Sequence, residues 1–173
     1  MSSRILVGYA TKNGSTAEIA QAVGKEIQAA GYTADVAELK SVSSVNGYAA
    51  VVIGAPLYMN KLHGDAGAFV GRYREQLARV PVAAFAVGLA PVAKEPGSLE
   101  NAIKTLHASV SPLQPVAETV FAGNLDPAKV SFVFRKMIGL MKIPTGDFRD
   151  WNAIAAWARE VPGKMGLPPG NAG

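Results

Sequence analysis

Short apolar segments alternate with helical patterns along the chain, and this alternation is the feature that most constrains the fold. The apolar segments are residues 4–8, 33–39, 49–54, 82–87 and 116–122. The helical patterns cover residues 15–30, 65–78, 98–108, 129–141 and 150–160. Strands that are apolar throughout and separated by helices indicate a parallel sheet covered on both faces. Right-handed crossovers then favour an α/β fold with a doubly wound, five-stranded parallel sheet of order 2-1-3-4-5.

The alternation ends near residue 161, which predicts one domain over residues 1–161 and a flexible Gly- and Pro-rich tail over residues 162–173. The formal charge is +4 and the basic residues are scattered, which favours small anionic partners over nucleic acid. The chain has no cysteine and only His63 and His107, so we expect no metal site. No apolar run approaches the ~18 residues of a membrane span, so we expect a cytoplasmic protein.

Two loops have an unusual composition, and both lie where a ligand is expected. In a sheet of this order, ligands bind where the winding reverses, beyond the carboxyl ends of the first and third strands. The loops there are residues 10–16 and 55–64. In the first loop Thr11, Ser15 and Thr16 offer hydroxyl groups, and Gly14 permits a turn in which backbone N–H groups converge at a helix start. This arrangement predicts a site for one phosphate group.

The first loop differs from two common phosphate-binding motifs and also has a simpler interpretation. Gly8 and Gly14 are separated by five residues and Ser15 stands where a triphosphate loop needs lysine, so a Walker motif is excluded. The dinucleotide pattern G-x-G-x-x-G is also absent at this position. An ordinary helix start is the alternative, with Ser15 or Thr16 as the cap and Asn13 in the turn before it.

The second loop, GAPLYMNKLHG, combines apolar and polar side chains at the rim of the predicted sheet. Leu57, Tyr58 and Met59 supply apolar surface, and Asn60 adds a polar group beside them. A flat aromatic ligand with a polar edge fits this mixture. The alternative is that Leu57 and Tyr58 only cover the end of the sheet.

The two loops together resemble those of the flavodoxin family, and the resemblance spans about residues 4 to 160. It implies FMN as the cofactor. The phosphate-binding residues implied by the family's T-x-T-G-x-T loop are Thr11, Lys12, Asn13, Gly14, Ser15 and Thr16, while Ala10 stands where the family has a hydroxyl. The ring-contacting residues implied are Pro56, Leu57, Tyr58 and Met59 on one side and Gly88, Leu89 and Ala90 on the other.

Residues 120–160 resemble the C-terminal third of a subfamily of flavodoxin-domain proteins. The shared features are Ala122 and Gly123 after the fifth strand, a long apolar and basic helix, and the pair Asp150 and Trp151 before the last helix. The subfamily includes the menaquinone-dependent protoporphyrinogen dehydrogenases. The resemblance implies a two-electron oxidoreductase with a quinone-type acceptor. The alternative is an electron carrier that serves a redox partner protein and has no small-molecule substrate.

Basic side chains near the implied ring favour the enzyme over the carrier. Lys61, His63 and Lys94 lie in the loops beside the ring, and Glu95 is the nearest acid. Cations stabilise the negative charge of a reduced flavin and thereby raise its potential. The alternative is that these side chains point into solvent and have little effect. A signalling receiver domain is excluded, because acidic residues do not follow the first and third strands.

The predicted helix between Lys129 and Met141 carries two apolar surfaces. A core-facing stripe is predicted at Phe134, Met137, Ile138 and Met141. Phe132, Val133 and Leu140 fall outside that stripe, among the cations Arg135, Lys136 and Lys142. This second surface suits a membrane, a quinone, a carboxylated small molecule or a second copy of the chain.

Around the start of the last helix, the sequence predicts one cap, two buried rings and one surface pair. Asp150 is expected to cap the helix, and Trp151 and Trp157 are expected to pack inward. Asp147 and Arg149 are expected to form an exposed ion pair of little consequence.

Overall fold

The structure, a computed structural model, describes residues 3–171 and is built around a central parallel sheet. The strands in chain order are β1 (Arg4–Tyr9), β2 (Thr33–Glu38), β3 (Ala50–Tyr58), β4 (Lys61–Leu62), β5 (Val82–Gly88), β6 (Ala117–Ala122), β7 (Asn124–Leu125) and β8 (Gly146–Asp147). The order across the central sheet is β2-β1-β3-β5-β6 with parallel pairing, which confirms the predicted doubly wound order. β4 pairs antiparallel with the end of β3, and β7 and β8 form a separate small sheet.

Six helices accompany the strands in the described part of the chain. They are α1 (Ser15–Ala29), α2 (Gly64–Arg72), α3 (Arg74–Leu77), α4 (Ser98–Ser109), α5 (Phe132–Met141) and α6 (Trp151–Lys164). Short 3-10 turns cover Leu39–Ser41, Ala90–Val92 and Pro127–Lys129. Within residues 3–171, no helix has both the length and the apolar character needed to cross a bilayer.

Two apolar layers sandwich the sheet, as continuous apolar strands require. One layer packs α1 and α6 on the sheet through side chains such as Ile19, Val23 and Trp157. The other layer packs α2, α3 and α4 on the opposite face through side chains such as Phe69 and Leu106. Burying one such large side chain stabilises the fold by about 1.5–3 kcal/mol. The two layers leave the carboxyl ends of the strands open for a ligand.

Three helix boundaries differ from the prediction, each for a local reason. The helix predicted over residues 65–78 breaks at Tyr73, which separates α2 from α3. The helix predicted from residue 129 starts at Phe132, because the 3-10 turn Pro127–Lys129 precedes it and the Ser131 hydroxyl accepts from the N–H of Phe134 at 3.3 Å. The last helix runs to Lys164 instead of residue 160, with Pro162 inside it.

The start of the last helix confirms two of the predicted roles and corrects a third. The Asp150 side chain accepts from the N–H of Ala153 at 3.0 Å, so it caps α6 as predicted. Trp157 is buried against Phe85 and Phe121, with ring centroids 5.9 and 5.6 Å away. Trp151 was predicted to pack inward, but it is 43% exposed because it occupies the first turn of α6, away from the sheet.

The division into a domain of residues 1–161 and a tail of residues 162–173 stays a prediction. Residues 1, 2, 172 and 173 lie outside the described part of the chain. In the described part of the predicted tail, Pro162 and Met165 are buried. The N–H of Asn171 also donates to the carbonyl of Gly31 at 3.1 Å, which brings the chain end against the turn after α1.

Candidate functional site

A cavity of about 550 Å³ lies at the carboxyl ends of β3 and β5, and Ser15 at the start of α1 also lines it. The register of the sheet explains its position. Tyr9 at the end of β1 lies opposite Gly54 of β3, and β3 then continues to Tyr58 beyond the end of β1. The cavity therefore occupies the place where the winding of the sheet reverses, and its size is within the usual ~300–1,000 Å³ of small-molecule sites.

The residues predicted to contact a ring all line this cavity. They are Pro56, Leu57, Tyr58 and Met59 on β3 and its turn, and Gly88, Leu89 and Ala90 at the end of β5 and just after it. The structure brings these two groups together, although their role stays a prediction. A Cβ on Gly88 would lie 3.0 Å from the carbonyl oxygen of Leu57, so glycine permits the two strand ends to approach this closely.

The segment predicted as a loop over residues 55–64 is a β-hairpin. Leu57 pairs with Leu62 and Tyr58 pairs with Lys61, and Met59 and Asn60 form the turn with φ of 47° and 60°. Backbone pairing with β4 holds Leu57 and Tyr58 in fixed positions. Non-glycine residues at positive φ are uncommon, so the turn is a constrained feature of the cavity rim.

The loop after β1 leaves the start of α1 without a side-chain cap. Gly14 precedes the helix at a φ of 95° without a side-chain capping hydrogen bond, and its N–H donates to Oγ1 of Thr11 at 3.0 Å. The alternative in which Ser15 or Thr16 caps the helix is wrong, since Gly14 holds that position. The first N–H groups of α1 therefore lack a side-chain acceptor, and they carry the positive end of the helix dipole.

The six residues predicted to bind phosphate do not all reach one place. Asn13, Gly14 and Ser15 line a small cleft beside the main cavity, and Ser15 lines both. Thr16 is only 1% exposed and packs inside the fold. The Lys12 ammonium lies 5.1 Å from the centroid of the Tyr58 ring, and neither cavity is lined by it.

The small cleft also contains charged residues that the sequence did not suggest. Lys129 supplies a cation, and Glu18 and Asp126 supply carboxylates. Both carboxylates already have partners: Asp126 accepts from the N–H of Ala128 at 2.9 Å, and Glu18 pairs with Arg149. Their negative charge is therefore partly compensated at the place predicted for a phosphate group.

Tyr58 connects the loop after β1 with the segment that carries α5. With its amide oriented to satisfy both ends, Asn13 accepts from the Tyr58 hydroxyl at 2.8 Å and donates to the carbonyls of Lys12 and Lys129 at 3.2 Å each. The Tyr58 ring also meets Phe134 edge-on, with centroids 6.1 Å apart. Burial raises the pKa of the Tyr58 hydroxyl, so it is a hydrogen-bond donor at neutral pH.

The segment between β6 and α6 covers the cavity, which the sequence did not predict. Its cavity-lining residues are Gly123, Asn124, Leu125, Phe134, Met137, Met141 and Ile143. The stripe on α5 was predicted to face the core, but only Ile138 of its four residues is buried, and Met141 is 60% exposed. The helical spacing of Phe134, Met137 and Met141 is visible in the sequence. Such spacing is equally compatible with a helix that packs on the core and with a helix that forms the wall of a cavity.

Arg149 links this segment to the first turn of α1 through an ion pair with Glu18. Its side chain is 9% exposed, pairs with Glu18 of α1 and with Asp147 at 2.6 Å, and lies 4.8 Å from the ring centroid of Trp151. The predicted pair of Asp147 and Arg149 is therefore present, but only Asp147 is exposed, and Arg149 also links distant segments through Glu18. Hydrogen bonds from Arg149 lower the pKa of the Asp147 carboxyl, and those to Asp147 and Glu18 raise the pKa of Arg149.

The charges beside the cavity differ from the prediction. Lys61, His63 and Lys94 were expected near the ring, but none of them lines the cavity. Glu95 is the acid that does line it, together with Ser98 and Asn101 of α4. The hairpin places Lys61 and His63 along a different groove, which they share with Tyr58 and Met59.

Comparison with known proteins agrees with this geometry. A family profile described as a flavodoxin domain matches residues 6–152. The chain belongs to the flavodoxin-domain family. Within this family, the chain is 30% identical over 172 residues to protoporphyrinogen IX dehydrogenase [quinone] of Escherichia coli K12, with 91% of this chain and 94% of the relative covered. The enzyme of the same name from Escherichia coli O157:H7 gives the same values.

Solved flavodoxins share the fold of this flavodoxin-domain protein. An archaeal flavodoxin superimposes with a TM-score of 0.56 at 14% identity, covering 94% of this chain and 99% of its own. Oxidised flavodoxin 1 of Bacillus cereus superimposes with a TM-score of 0.52 at 13% identity, covering 92% of this chain and 97% of its own. At such identities the likeness concerns the fold alone.

Proposed function

We propose that this flavodoxin-domain protein is an FMN-dependent oxidoreductase that transfers two electrons from a reduced substrate, of the protoporphyrinogen class, to a quinone-type acceptor. The observation that carries the proposal is the cavity of about 550 Å³ at the reversal point of the sheet, which α5 covers. The similarity to protoporphyrinogen IX dehydrogenase [quinone] over 91% of the chain supports the substrate class and the acceptor.

The residues of the site fit FMN. Gly14 at positive φ leaves the first N–H groups of α1 without a side-chain acceptor, and these groups, with the Thr11 and Ser15 hydroxyls, suit a phosphate group. Asn13 lines the small cleft beside the main cavity, whereas Lys12, which lies over the Tyr58 ring, and the buried Thr16 complete the proposed phosphate loop without lining that cleft. When bound, FMN supplies reversible uptake of two electrons.

The walls of the cavity position the ring and keep water away from it. Pro56, Leu57, Tyr58 and Met59 form one proposed wall, and Gly88, Leu89 and Ala90 form the other. Phe134 and Met137 of α5 line the same cavity, and the Phe134 ring contacts Tyr58 of the hairpin. An apolar cover that excludes solvent protects a reactive reduced cofactor and favours reaction with a substrate held beside it.

The outer face of α5 is the proposed contact with a membrane that contains the quinone. Phe132, Val133 and Leu140 are 65%, 76% and 86% exposed. The flanking cations are Lys129, Arg135, Lys136 and Lys142. Exposed apolar side chains edged with cations bind the surface of anionic bilayers. The inner face of α5 lines the cavity, and its outer face would contact the membrane. A quinone in the membrane would then lie close to the cavity.

A flavodoxin-type electron carrier is the second candidate, and one observation favours it. The cavity is lined by Glu95 and, within the described residues, by no lysine, arginine or histidine. A carboxylate near the ring disfavours the negative charge of a reduced flavin and lowers its potential. A carrier would deliver its electrons to a redox partner protein.

An anaerobic assay distinguishes the two candidates. The protein is saturated with FMN, mixed with protoporphyrinogen IX without oxygen, and followed by the flavin absorbance before and after addition of a menaquinone analogue. We expect bleaching by the porphyrinogen and recovery with the quinone, at rates that FMN-free protein does not give. A protein that binds FMN but is reduced only by dithionite, in two separate one-electron steps, would be a carrier. A protein that binds no FMN would contradict both candidates.

A further inference from the structure

A second groove lies beside the main cavity and shares part of its wall. It has a volume of about 610 Å³. Its lining residues are Lys12, Tyr58, Met59, Lys61, Leu62 and His63, and we call it the basic groove. Tyr58 and Met59 also line the main cavity, so the two sites adjoin along the β3–β4 hairpin.

The two lysines of the basic groove, Lys12 and Lys61, have no acidic partner within residues 3–171. Lys40, by contrast, pairs with Glu38 at 3.0 Å. The Lys12 ammonium lies over the Tyr58 ring, and Lys61 pairs with Tyr58 across the hairpin. Two unneutralised ammonium groups beside an aromatic ring form a site for an anion with an apolar body.

His63 adds a hydrogen-bond donor of defined orientation. Its Nδ1 accepts from the N–H of Asp65 at 3.3 Å, so this nitrogen carries no proton in that arrangement. The proton of the neutral ring is then on Nε2, which is free to donate to a ligand. Asp65 lies 3.7 Å from Nδ1 and does not line the groove.

The rim between the two sites is apolar and constrained. Met59 is 70% exposed and is held at a φ of 47° in the hairpin turn. The two-residue turn of the hairpin requires positive φ at Met59 and Asn60, at a cost of about 1–2 kcal/mol for a residue with a side chain. The turn keeps an apolar side chain at the boundary between the cavity and the basic groove.

We propose that the basic groove binds the carboxylate groups of a large planar or macrocyclic molecule whose apolar body crosses Met59 into the main cavity. This inference rests on the proposed function and assigns the residues that would recognise the substrate. The positive charge of the two lysines favours an anionic group, and the substrate class of the proposed function makes that group a carboxylate. The volume of about 610 Å³ suits a small molecule. Lys61 and His63 therefore position a substrate, which explains why these two side chains lie beside the cavity and not in it.

The test is a titration of the FMN-loaded protein with deuteroporphyrin IX, a stable macrocycle with two carboxylates, and with its dimethyl ester in the same non-ionic detergent. Binding is followed by porphyrin fluorescence. We expect Lys61→Gln and His63→Asn each to weaken binding of the acid by about fivefold or more, as for exposed charge-assisted contacts. Asn is a good capping residue, so His63→Asn keeps the start of α2. The matched control Lys104→Gln, an exposed lysine on α4, leaves binding unchanged.

Three results would overturn the inference. The first is that Lys61→Gln and Lys104→Gln bind deuteroporphyrin IX equally well. The second is that wild type binds the acid and its dimethyl ester equally well. The third is that wild type binds a poly-glutamate peptide, and not the porphyrin, in a way that depends on Lys61. FMN occupancy of each variant is measured separately from its visible spectrum. Wild-type protein without FMN would contradict the proposed function, whereas FMN-loaded protein without Lys61-dependent binding would contradict the basic groove alone.

Discussion

The side chain of Asn13 meets the Tyr58 hydroxyl at 2.8 Å, which joins the loop after β1 to the end of β3. These two segments carry the proposed phosphate and ring contacts. This hydrogen bond thus links the two halves of the candidate FMN site beyond the point where the pairing of β1 with β3 ends.

Tyr58→Phe removes this hydrogen bond and keeps the ring. We expect it to weaken FMN binding about 2- to 10-fold, because one neutral hydrogen bond contributes ~0.5–1.5 kcal/mol. Flavin fluorescence titration measures the effect. The control is Tyr48→Phe. The hydroxyl of Tyr48 donates to Asp35 at a distance of 2.9 Å, and neither residue lines the candidate site. Equal affinities of the two variants would show that the Asn13–Tyr58 bond does not organise the site.

Gly14→Ala places a Cβ on a residue with a φ of 95°. We expect the free energy of unfolding to fall by about 1–2 kcal/mol, since left-handed backbone is strained with a side chain. Urea unfolding is the measurement. Gly71→Ala lies within α2 with open space around its Cβ, and we expect it to raise stability by ~0.5–1 kcal/mol. A neutral Gly14→Ala would mean that the loop adopts another conformation.

The link between Arg149 and Glu18 is testable by a double-mutant cycle with Arg149→Gln and Glu18→Gln. We expect a coupling free energy of about 0.5–1 kcal/mol, at the upper end for a partly exposed pair. We also expect faster proteolysis between β6 and α6 in Arg149→Gln. The control is Arg159→Gln, whose pair with Glu26 at 2.8 Å is more exposed. Zero coupling, with unchanged proteolysis, would remove the role assigned to Arg149.

The lowered pKa of Asp147 predicts a dependence of stability on pH. Because the folded-state pKa lies below the unfolded value of about 3.9, the carboxylate stabilises the fold at higher pH, and this contribution is lost as the pH falls through the folded-state pKa. We expect wild type to exceed Asp147→Asn in free energy of unfolding at pH 6, and the difference to shrink towards pH 3. Urea unfolding across this range is the measurement, and a difference that does not change with pH would contradict it.

The outer face of α5 predicts a membrane effect separate from folding. Leu140→Gln should lower binding to vesicles of anionic lipid in a flotation assay and leave the free energy of unfolding nearly unchanged, since Leu140 is 86% exposed. The control is Leu99→Gln on α4, where Leu99 is 45% exposed. If both variants bind vesicles as well as wild type does, the outer face of α5 does not contact the membrane.

Local patterns were enough to predict the order of the sheet and the edge of it at which the cavity lies. Apolar runs set the strand order, and the turn at Gly14 marked the start of α1. The placement of Lys61 and His63 could not be predicted, because it depends on the pairing of Tyr58 with Lys61, which only the folded hairpin defines. The cover over the cavity likewise depends on Arg149 and Glu18, which are 131 residues apart in sequence.

The excursion between β6 and α6 begins and ends at one point of the fold. The N–H of Phe148 donates to the carbonyl of Gly123 at 3.1 Å, and β7 pairs with β8 just inside that contact. Because the ends are already neighbours, residues can be added to or removed from this excursion at the cost of loop closure alone, which grows slowly with length. The excursion, and with it the cover over the cavity, can thus be exchanged by evolution or by design while the sheet and the loop after β1 stay intact.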